Sequence, residues 1–525
     1  MLNIMSQNRL LTVLLISLTL VGCGGGGGST SNAAASPSPS PSPSQGSSSG
    51  WVRGQYEAWR NLAGICSNPQ SYSDVQGTTT DENFWIRSFS NDTYLWYRDL
   101  PDIDPGSINS TEVYFDLMKT TALSQTGNPK DQFHFTYETE RWRLLSESGI
   151  SVGYGAQFQL GSSDSGRSVV VAYTEPNTSA SANNLNRGAT IISVDGVDVA
   201  YGSDVDTLNA GIFPSNAGEA HVFEVRDIGA AQTRFITLFS SAVTSDPVKN
   251  GKYFTVNGRR TGYLTFNDHI ATSEQQLIDT MSWMRDSAVS ELVVDLRYNG
   301  GGLLAIAAEL GYMIAGSAGE GQIFYETQFN SKYPNYNPVT GEFLSPVMFQ
   351  SYAVGYSANQ GQRLPTLNLD RVFIISSEGT ASASEALING LRGVGVEVIL
   401  IGDTTRGKPY GFYPADNCGT TYFTVQFKGV NARGFGEYSD GFIPVASANS
   451  QGAEVTGCRV ADDFTHMLGD SSEGRLSAAL NYIRNGSCPY EAESSISQPS
   501  VVESEMLDLS KTYGRIMKPE LGNIL

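Results

Sequence analysis

The segment Thr380-Ala-Ser-Ala-Ser-Glu385 lies between a short apolar run, Arg371-Val-Phe-Ile-Ile-Ser376, and the helical-looking residues 385–391. A continuous apolar run of this kind is typical of a strand buried on both faces, so the segment marks a strand-to-helix junction. Ser382 stands three residues before Glu385 and is placed to cap the helix, where free N–H groups and the helix dipole favour negative charge. Strands alternating with helices along the chain indicate an α/β core.

Lys408, in the pair Gly407-Lys408, is a candidate base for one of these serines. A serine is a poor nucleophile at neutral pH until a base accepts its proton. A lysine can do this only when neutral, and its unperturbed pKa is about 10.4. Burial disfavours the ammonium form, and the apolar residues 396–401 could provide it. The pair predicts a serine hydrolase, whereas a helix cap and a surface lysine are the structural alternatives.

A second motif, Asp295-Leu-Arg-Tyr-Asn-Gly-Gly-Gly302, follows the apolar strand Glu291-Leu-Val-Val-Asp295 and precedes the helical-looking residues 303–310. Glycines at a strand end let the backbone turn sharply and present N–H groups at close range, as an oxyanion hole requires. A tight turn alone explains one glycine and not three.

Together the two motifs resemble the D-L-R-x-N-x-G-G and S-A-S-E motifs of the carboxyl-terminal processing (tail-specific) serine peptidases. The resemblance implies a crotonase/ClpP-like α/β peptidase core and a serine endopeptidase mechanism. It implies that Ser382 is the nucleophile and Lys408 the base of a Ser/Lys dyad. The backbone N–H groups of Gly301 and Ala383 would then form the oxyanion hole, with Ser384 as a packing or capping neighbour.

The position four residues after the lysine departs from that family. Its members often carry there a glutamine that orients the lysine, but this chain has Phe412. Asp403, Glu437 and Asp440 are other candidates for orienting Lys408. The departure keeps a second hypothesis open, a non-catalytic peptide-binding lipoprotein with a degenerate hydrolase site.

The same segments offer two alternative sites, a histidine base and a phosphate-binding loop. The chain has four histidines, each predicted to be structural, with His269 the least secure because it follows the strand Leu264-Thr-Phe. Residues 402–408 fit the G-x-x-x-x-G-K part of a phosphate-binding loop. That loop needs a following Ser or Thr and a helix, whereas Pro409 follows here, so nucleotide binding is not predicted.

The N-terminus predicts export. Arg9 precedes an apolar run, residues 10–20, which is too short to anchor stably across a bilayer and ends in Leu20-Val-Gly-Cys23. This end resembles a bacterial lipobox, which implies that the signal peptide, residues 1–22, is removed and that Cys23 is lipidated. Gly24 rather than aspartate follows, so the prediction is a lipid-anchored protein of the bacterial cell envelope, on the outer membrane in preference to the inner.

Residues 23–50, rich in Gly, Ser and Pro, predict a tether that holds the rest of the chain away from a membrane. The formal net charge of -20 argues against nucleic-acid partners and against docking on anionic lipid. Membrane attachment would therefore be by lipid.

Four cysteines remain after Cys23. An even number in an exported chain predicts disulfides, with three connectivities open. No pair has C-x-x-C spacing, so a metal site is not predicted. No cofactor is predicted for the chain either. The four are Cys66, Cys418, Cys458 and Cys488.

The remaining organisation is predicted as an N-terminal helical domain at 51–145, a PDZ-like β domain at 146–245, a peptidase domain at 250–490 and a tail at 491–525. The first contains a helix around 111–121, and the tail could form a docking helix at 506–517.

Three segments carry the PDZ resemblance: Gly153-Tyr-Gly-Ala-Gln-Phe158, Ser168-Val-Val-Val-Ala172 and Ala189-Thr-Ile-Ile-Ser-Val-Asp-Gly196. It implies that a glycine-containing loop receives the carboxylate of a polypeptide tail while an edge strand pairs with it. The alternative is a small β domain that only gates the active site. The predicted peptide-binding residues are Gly153, Tyr154, Gly155 and Ala156.

Overall fold

The computed structural model describes most of the chain between residues 50 and 489. Several predicted features lie outside the described residues. They are the signal peptide, Cys23, the tether up to residue 49, and the tail with its predicted helix. No helix within the described part is long and apolar enough to cross a membrane. The described ranges are 50–124, 127–163, 166–448 and 452–489.

Residues 51–145, predicted as a helical domain, contain helices together with three short strands. The helix predicted around 111–121 ends earlier, at Leu117. The elements are α1 (Trp59–Leu62), β1 (Ile65–Cys66), β2 (Val75–Gln76), α2 (Thr79–Thr93), 3-10 helices at Tyr97–Asp99 and Pro105–Ser107, α3 (Thr111–Leu117), β3 (Phe135–Glu138) and α4 (Thr139–Ser148).

The next region is rich in strands. Most of them form an antiparallel sheet in the order β10-β9-β7-β6-β5, with β8 beside β7, and β4 pairs separately with β11. In this sheet β5 is an edge strand. The elements are β4 (Ile150–Gly153), β5 (Ala156–Ser163), β6 (Gly166–Thr174), α5 (Ser179–Ala182), β7 (Thr190–Val194), β8 (Val197–Asp198), α6 (Val205–Ile212), β9 (Ala220–Arg226), β10 (Arg234–Phe239) and β11 (Ser241–Thr244).

The third region carries the two motifs and the largest sheet. Its elements are β12 (Val248–Val256), β13 (Arg259–Phe266), α7 (Ser273–Asp286), β14 (Val289–Asp295), α8 (Leu304–Ala315), a 3-10 helix at Gly316–Ala318, β15 (Ile323–Phe329), β16 (Val347–Met348), β17 (Arg371–Ser376), α9 (Ala383–Gly393), β18 (Glu397–Gly402), β19 (Tyr410–Gly411), β20 (Ala415–Asn417), β21 (Thr420–Phe423), β22 (Phe427–Val430), β23 (Ile443–Val445), β24 (Glu454–Arg459) and α10 (Gly474–Asn485).

The largest sheet has seven strands in the order β12-β13-β14-β17-β18-β24-β23, and only the β12–β13 pair is antiparallel. Its two faces are both covered. In β14, Leu292 and Val294 pack with α7, α8 and α9, whereas Val293 packs with α10 on the opposite face. Because both faces are buried, the strands read as continuous apolar runs. The predicted α/β core is confirmed.

The N-terminal region is tied to the third region. Strand β3 forms a three-stranded sheet with β21 and β20, and a disulfide joins Cys66 to Cys418. A second disulfide joins Cys458 to Cys488. The structure thus selects one of the three connectivities that the sequence left open.

Two fully buried glutamates, Glu274 on α7 and Glu309 on α8, hold the loop of residues 353–358. Glu309 accepts a hydrogen bond from a backbone N–H (2.8 Å) of this loop. Burial raises the pKa of Glu309 to about 9, and the nearby Glu274 carboxylate acts in the same direction. The loop donors to Glu274 are the N–H groups of Gly355 (2.7 Å), Ser357 (2.7 Å) and Ala358 (2.8 Å).

The substitution Glu309→Gln is expected to flatten the dependence of stability on pH. The folded pKa of Glu309, about 9, lies above the unfolded value of about 4.3, so the folded protein holds one more proton between these values. The stability contributed by Glu309 is therefore present below the unfolded pKa and is lost as pH rises, by up to about 1.4 kcal/mol per pH unit. Urea unfolding at pH 6, 7 and 8 measures this slope.

The exposed Glu326 provides the control for this experiment. Glu326→Gln should keep the wild-type slope. A Glu309→Gln variant with the wild-type slope would show that Glu309 is ionised in the folded protein.

Candidate active site

The site lies at the carboxyl ends of three neighbouring parallel strands, β14, β17 and β18. The glycine turn of residues 300–302 follows β14, Ser382 follows β17, and Lys408 follows β18. Because parallel strands end at the same edge of a sheet, loops far apart in the chain meet there.

Side-chain and backbone hydrogen bonds join the first two loops. The Thr380 hydroxyl donates to the carbonyl of Leu296 (2.8 Å), and the Ala381 N–H donates to the carbonyl of Asn299 (3.1 Å). The Ser384 hydroxyl donates to the same Asn299 carbonyl (3.1 Å). Ser384 therefore holds the glycine turn against the serine loop.

Ser382 is the N-cap residue of α9, as its position before Glu385 predicted. Its backbone has φ 59° and ψ -117°, a conformation that costs a residue other than glycine about 1–3 kcal/mol. Gly301 packs directly against it, with φ +103°, and a Cβ added there would lie 2.6 Å from the Ser382 Cβ. This close approach requires glycine and explains one of the three glycines in the motif.

Glu385 connects Ser382 with Lys408. Its fully buried carboxylate accepts hydrogen bonds from the N–H of Ser382 (3.0 Å) and from the N–H of Lys408 (2.8 Å). It also accepts from the Gly407 N–H (2.7 Å) and the Thr405 hydroxyl (2.5 Å). Burial raises the pKa of Glu385, and these four hydrogen bonds oppose the shift. The sequence had indicated only a helix cap.

Lys408 is buried, with only 1% of the residue exposed. Its Nζ lies 4.3 Å from the ring centroid of Phe412 and 5.6 Å from that of Phe133. Phe412, at the position where the family often has a glutamine, is therefore in contact with the lysine amine. Phe133 comes from the N-terminal region, and nothing in the motif had indicated it.

The two predicted oxyanion-hole donors lie side by side. A Cβ added to Gly301 would be 3.0 Å from the nitrogen of Ala383. The Gly301 N–H, however, donates to the side-chain oxygen of Asn299 (3.0 Å). Gly301 could bind an oxyanion only after releasing this hydrogen bond.

His269 lies on the other side of the glycine turn. Its backbone N–H donates to the Gly301 carbonyl (3.1 Å), and its Nδ1 donates to the Asn299 side-chain oxygen (3.0 Å). A Cβ on Gly302 would lie 2.2 Å from the His269 carbonyl oxygen. Burial lowers the pKa of His269 to about 4, so the ring is neutral at physiological pH. His269 supports the turn, a role that agrees with the structural prediction.

The other three histidines lie in other hydrogen-bonded pairs. His134 contacts the carbonyl oxygen of Phe115 (2.8 Å), and His221 contacts Asp195 (2.6 Å). His466 pairs with Asp463 (2.7 Å).

The carboxylates proposed to orient the lysine have other partners. Glu437 is exposed and pairs with Lys428 (2.9 Å), and Asp403 accepts from the N–H of Thr404 (2.8 Å). Asp440 accepts from the Ser124 hydroxyl (2.9 Å). Within the described ranges, no group of three or more His, Cys, Asp or Glu residues is placed to hold a metal ion.

The motif residue Arg297 lies in a buried ion network behind the site. Its guanidinium forms ion pairs with Asp295, within the motif, and with Glu473, at the start of α10. It also bonds Asp462, which pairs with Arg187 of the β-rich region. The sequence had no signal for this network, because Glu473, Asp462 and Arg187 lie far from the motif in the chain.

The predicted peptide-binding residues line a pocket that extends from the β-rich region to the third region. The loop of Gly153, Tyr154, Gly155 and Ala156 forms one wall, and Asn267 is part of the opposite wall. Gly155 has φ +82°, and an added Cβ would lie 2.3 Å from the Thr178 side chain, so glycine is required there. Further lining residues are Phe158, Ile212, Phe213, Asp268 and Tyr298.

Comparison with known proteins agrees with this geometry. The family model for peptidase family S41 matches residues 260–412, which include Gly301, Ser382 and Lys408. This chain contains a peptidase S41 domain. The family resemblance predicted from the motifs is thereby confirmed.

Two similar proteins match this chain beyond the S41 domain. The carboxyl-terminal-processing protease of Picosynechococcus sp. is 24% identical over 277 residues, which are 51% of this chain and 58% of that protein. The match thus spans less than two thirds of the relative's length. A crystal structure of an S41-type protein from Bacteroides fragilis has 22% identity and a TM-score of 0.57, and the match covers 79% of this chain and 98% of that one. This similarity concerns the fold.

Proposed function

We propose that this protein is a serine endopeptidase that cleaves polypeptides selected by their C-terminal tails, with Ser382 as nucleophile and Lys408 as base. The observation that carries the proposal is the buried Glu385 carboxylate, which binds the backbone N–H groups of both residues. A carboxylate that fixes the backbone of both a strained serine and a buried lysine brings a nucleophile together with a base. The S41 domain agrees with this chemistry.

In the proposed reaction, the neutral Lys408 amine accepts the proton of the Ser382 hydroxyl while Oγ attacks the carbonyl carbon of the scissile peptide bond. The oxyanion lies near the N–H of Ala383, at the N-terminus of α9, where negative charge is stabilised, and the Gly301 N–H joins it after releasing the Asn299 side chain. The ammonium then returns its proton to the leaving amine, which leaves an acyl ester on Ser382. Water hydrolyses the ester and regenerates the hydroxyl.

The tail would bind beside the loop of residues 153–156. Strand β5 begins in this loop and is an edge strand, so a peptide can add to it as a further strand. Asn267, on the opposite wall, precedes His269, which is hydrogen-bonded to the glycine turn. The Asn267 wall of the pocket is therefore two residues along the chain from His269, which contacts the glycine turn of the proposed active site.

Cleavage is expected to require a free C-terminal carboxylate on the substrate. Amidating the tail of a polypeptide substrate removes charge-assisted hydrogen bonds to the loop N–H groups, each worth about 1.5–3 kcal/mol, so kcat/KM should fall about 10-fold or more. The comparison uses one polypeptide with a free and with an amidated C-terminus, followed by mass spectrometry. Equal rates would show that tails are not recognised. Binding of the free tail without any cleavage would favour the non-catalytic peptide-binding alternative.

The lipid anchor at Cys23 and the location in the bacterial cell envelope stay predictions from the sequence. The two disulfides support the location outside the cytosol, because disulfides persist mainly in oxidising compartments.

A further inference from the structure

We propose that the ring faces of Phe412 and Phe133 position the Lys408 amine, in the role that related peptidases often give to a glutamine. This inference rests on the proposed function, because it concerns the base of the same dyad. Both centroids lie within the roughly 6 Å over which a ring face attracts a cation, at 4.3 and 5.6 Å from Nζ.

The ring of Phe412 is rigidly held. It is fully buried and packs edge-on against Phe423 (5.2 Å between centroids) and Phe135 (5.9 Å). Phe423 stacks in turn on Phe135 (4.3 Å, 5° between planes) and meets Trp142 edge-on (4.9 Å). Because the neighbouring rings interlock, the face that Phe412 presents to the amine is preorganised.

The ring of Phe133 is held by a separate group of residues. It is 3% exposed and packs with Tyr94, Tyr410 and Val425. Phe133 belongs to the N-terminal region, and Lys408 belongs to the S41 domain. The N-terminal region thus contributes a side chain, Phe133, to the wall of the proposed catalytic site.

Two opposing effects act on the amine in this position. Burial disfavours the ammonium form, whereas the negative faces of the rings favour it. A ring face also attracts the N–H groups of a neutral amine and leaves the nitrogen lone pair available to accept a proton. Phe412 can therefore hold the amine in place without blocking its function as a base.

The test compares Phe412→Leu with Phe423→Leu. The matched control removes a ring of the same cluster that packs on Phe412, Phe135 and Trp142. Losing the ring face at Phe412 should lower the plateau kcat about 10- to 100-fold with little change in KM, since a small misplacement of a catalytic group is costly. It should also move the acid limb of the pH profile of kcat/KM to lower pH, by about 0.4 to 1.5 units, because the ammonium loses its attraction to the ring.

Phe423→Leu is expected to lower the melting temperature and to move the acid limb less than Phe412→Leu does, because it loosens the packing around Phe412 but keeps the ring face that contacts the amine. Phe412→Tyr, which keeps the ring face, should keep the acid limb of the wild type. If Phe412→Leu does not fold, Phe133→Leu is measured instead and should shift the limb in the same direction. An acid limb and a plateau kcat that change no more than in Phe423→Leu would overturn the role of Phe412. A wild-type protein without peptidase activity would instead overturn the proposed function.

Discussion

Replacing Ser382 with alanine is expected to lower kcat/KM for a tail-bearing polypeptide by about 10⁵-fold or more. Removing the nucleophile of a serine peptidase has an effect of this size, because the covalent route is lost entirely. Alanine keeps the backbone and the packing against Gly301, so the fold should remain intact. The loss would be measured with purified protein on a denatured polypeptide, and a fluorophosphonate probe should label wild type but not Ser382→Ala.

Ser384→Ala provides the matched control in the same loop. The Ser384 hydroxyl donates one hydrogen bond to the Asn299 carbonyl, and losing such a bond costs about 1 kcal/mol. This variant should stay active within about tenfold and should still react with the probe. Undiminished proteolysis by Ser382→Ala would assign the reaction to another residue.

Glu385→Ala is expected to reduce both stability and activity strongly. It leaves the N–H groups of Ser382, Gly407 and Lys408 and the Thr405 hydroxyl without their shared acceptor. Each buried donor left unsatisfied costs about 1–3 kcal/mol, so a total loss of about 3–5 kcal/mol is expected after partial rehydration. Urea unfolding measures this loss. Probe labelling of Ser382 should slow by about 100-fold or more, since the serine and the lysine lose their common anchor.

Glu378 is exposed in the same loop and serves as the control. Glu378→Ala should change stability by no more than about 0.5 kcal/mol and should leave the labelling rate unchanged. Wild-type stability and labelling in Glu385→Ala would show that its carboxylate does not connect the two residues.

The candidate site was predictable where a local pattern carried the information. The apolar run of β17 and the glycines after β14 place two loops at strand ends, and the structure shows these ends side by side. The position of Glu385 three residues after Ser382 predicted a helix cap correctly. That prediction missed the second half of the role of Glu385, because Thr405, Gly407 and Lys408 reach it only when β18 lies beside β17.

The partner of the lysine was not predictable in the same way. The absence of the family glutamine was visible in the sequence and led to three carboxylates as replacements, all of which have other partners at exposed or half-buried positions. From hydrophobicity alone, Phe412 is predicted to be an ordinary residue of the hydrophobic core. Only the contact of its face with the amine distinguishes it from the other rings of the cluster.

The sequence by itself predicted the resemblance to the carboxyl-terminal processing peptidases, the α/β core, and Ser382, Lys408 and the glycine turn as the candidate site. These features are encoded locally, in apolar runs and in motifs a few residues long. The tertiary structure alone decided which cysteines pair, that Glu385 binds the backbone N–H groups of both Ser382 and Lys408, and that Phe133 reaches Lys408 from the N-terminal region. The physical reason is that these contacts join residues far apart in the chain, whose proximity depends on strand order and packing, and short stretches of sequence do not contain this information.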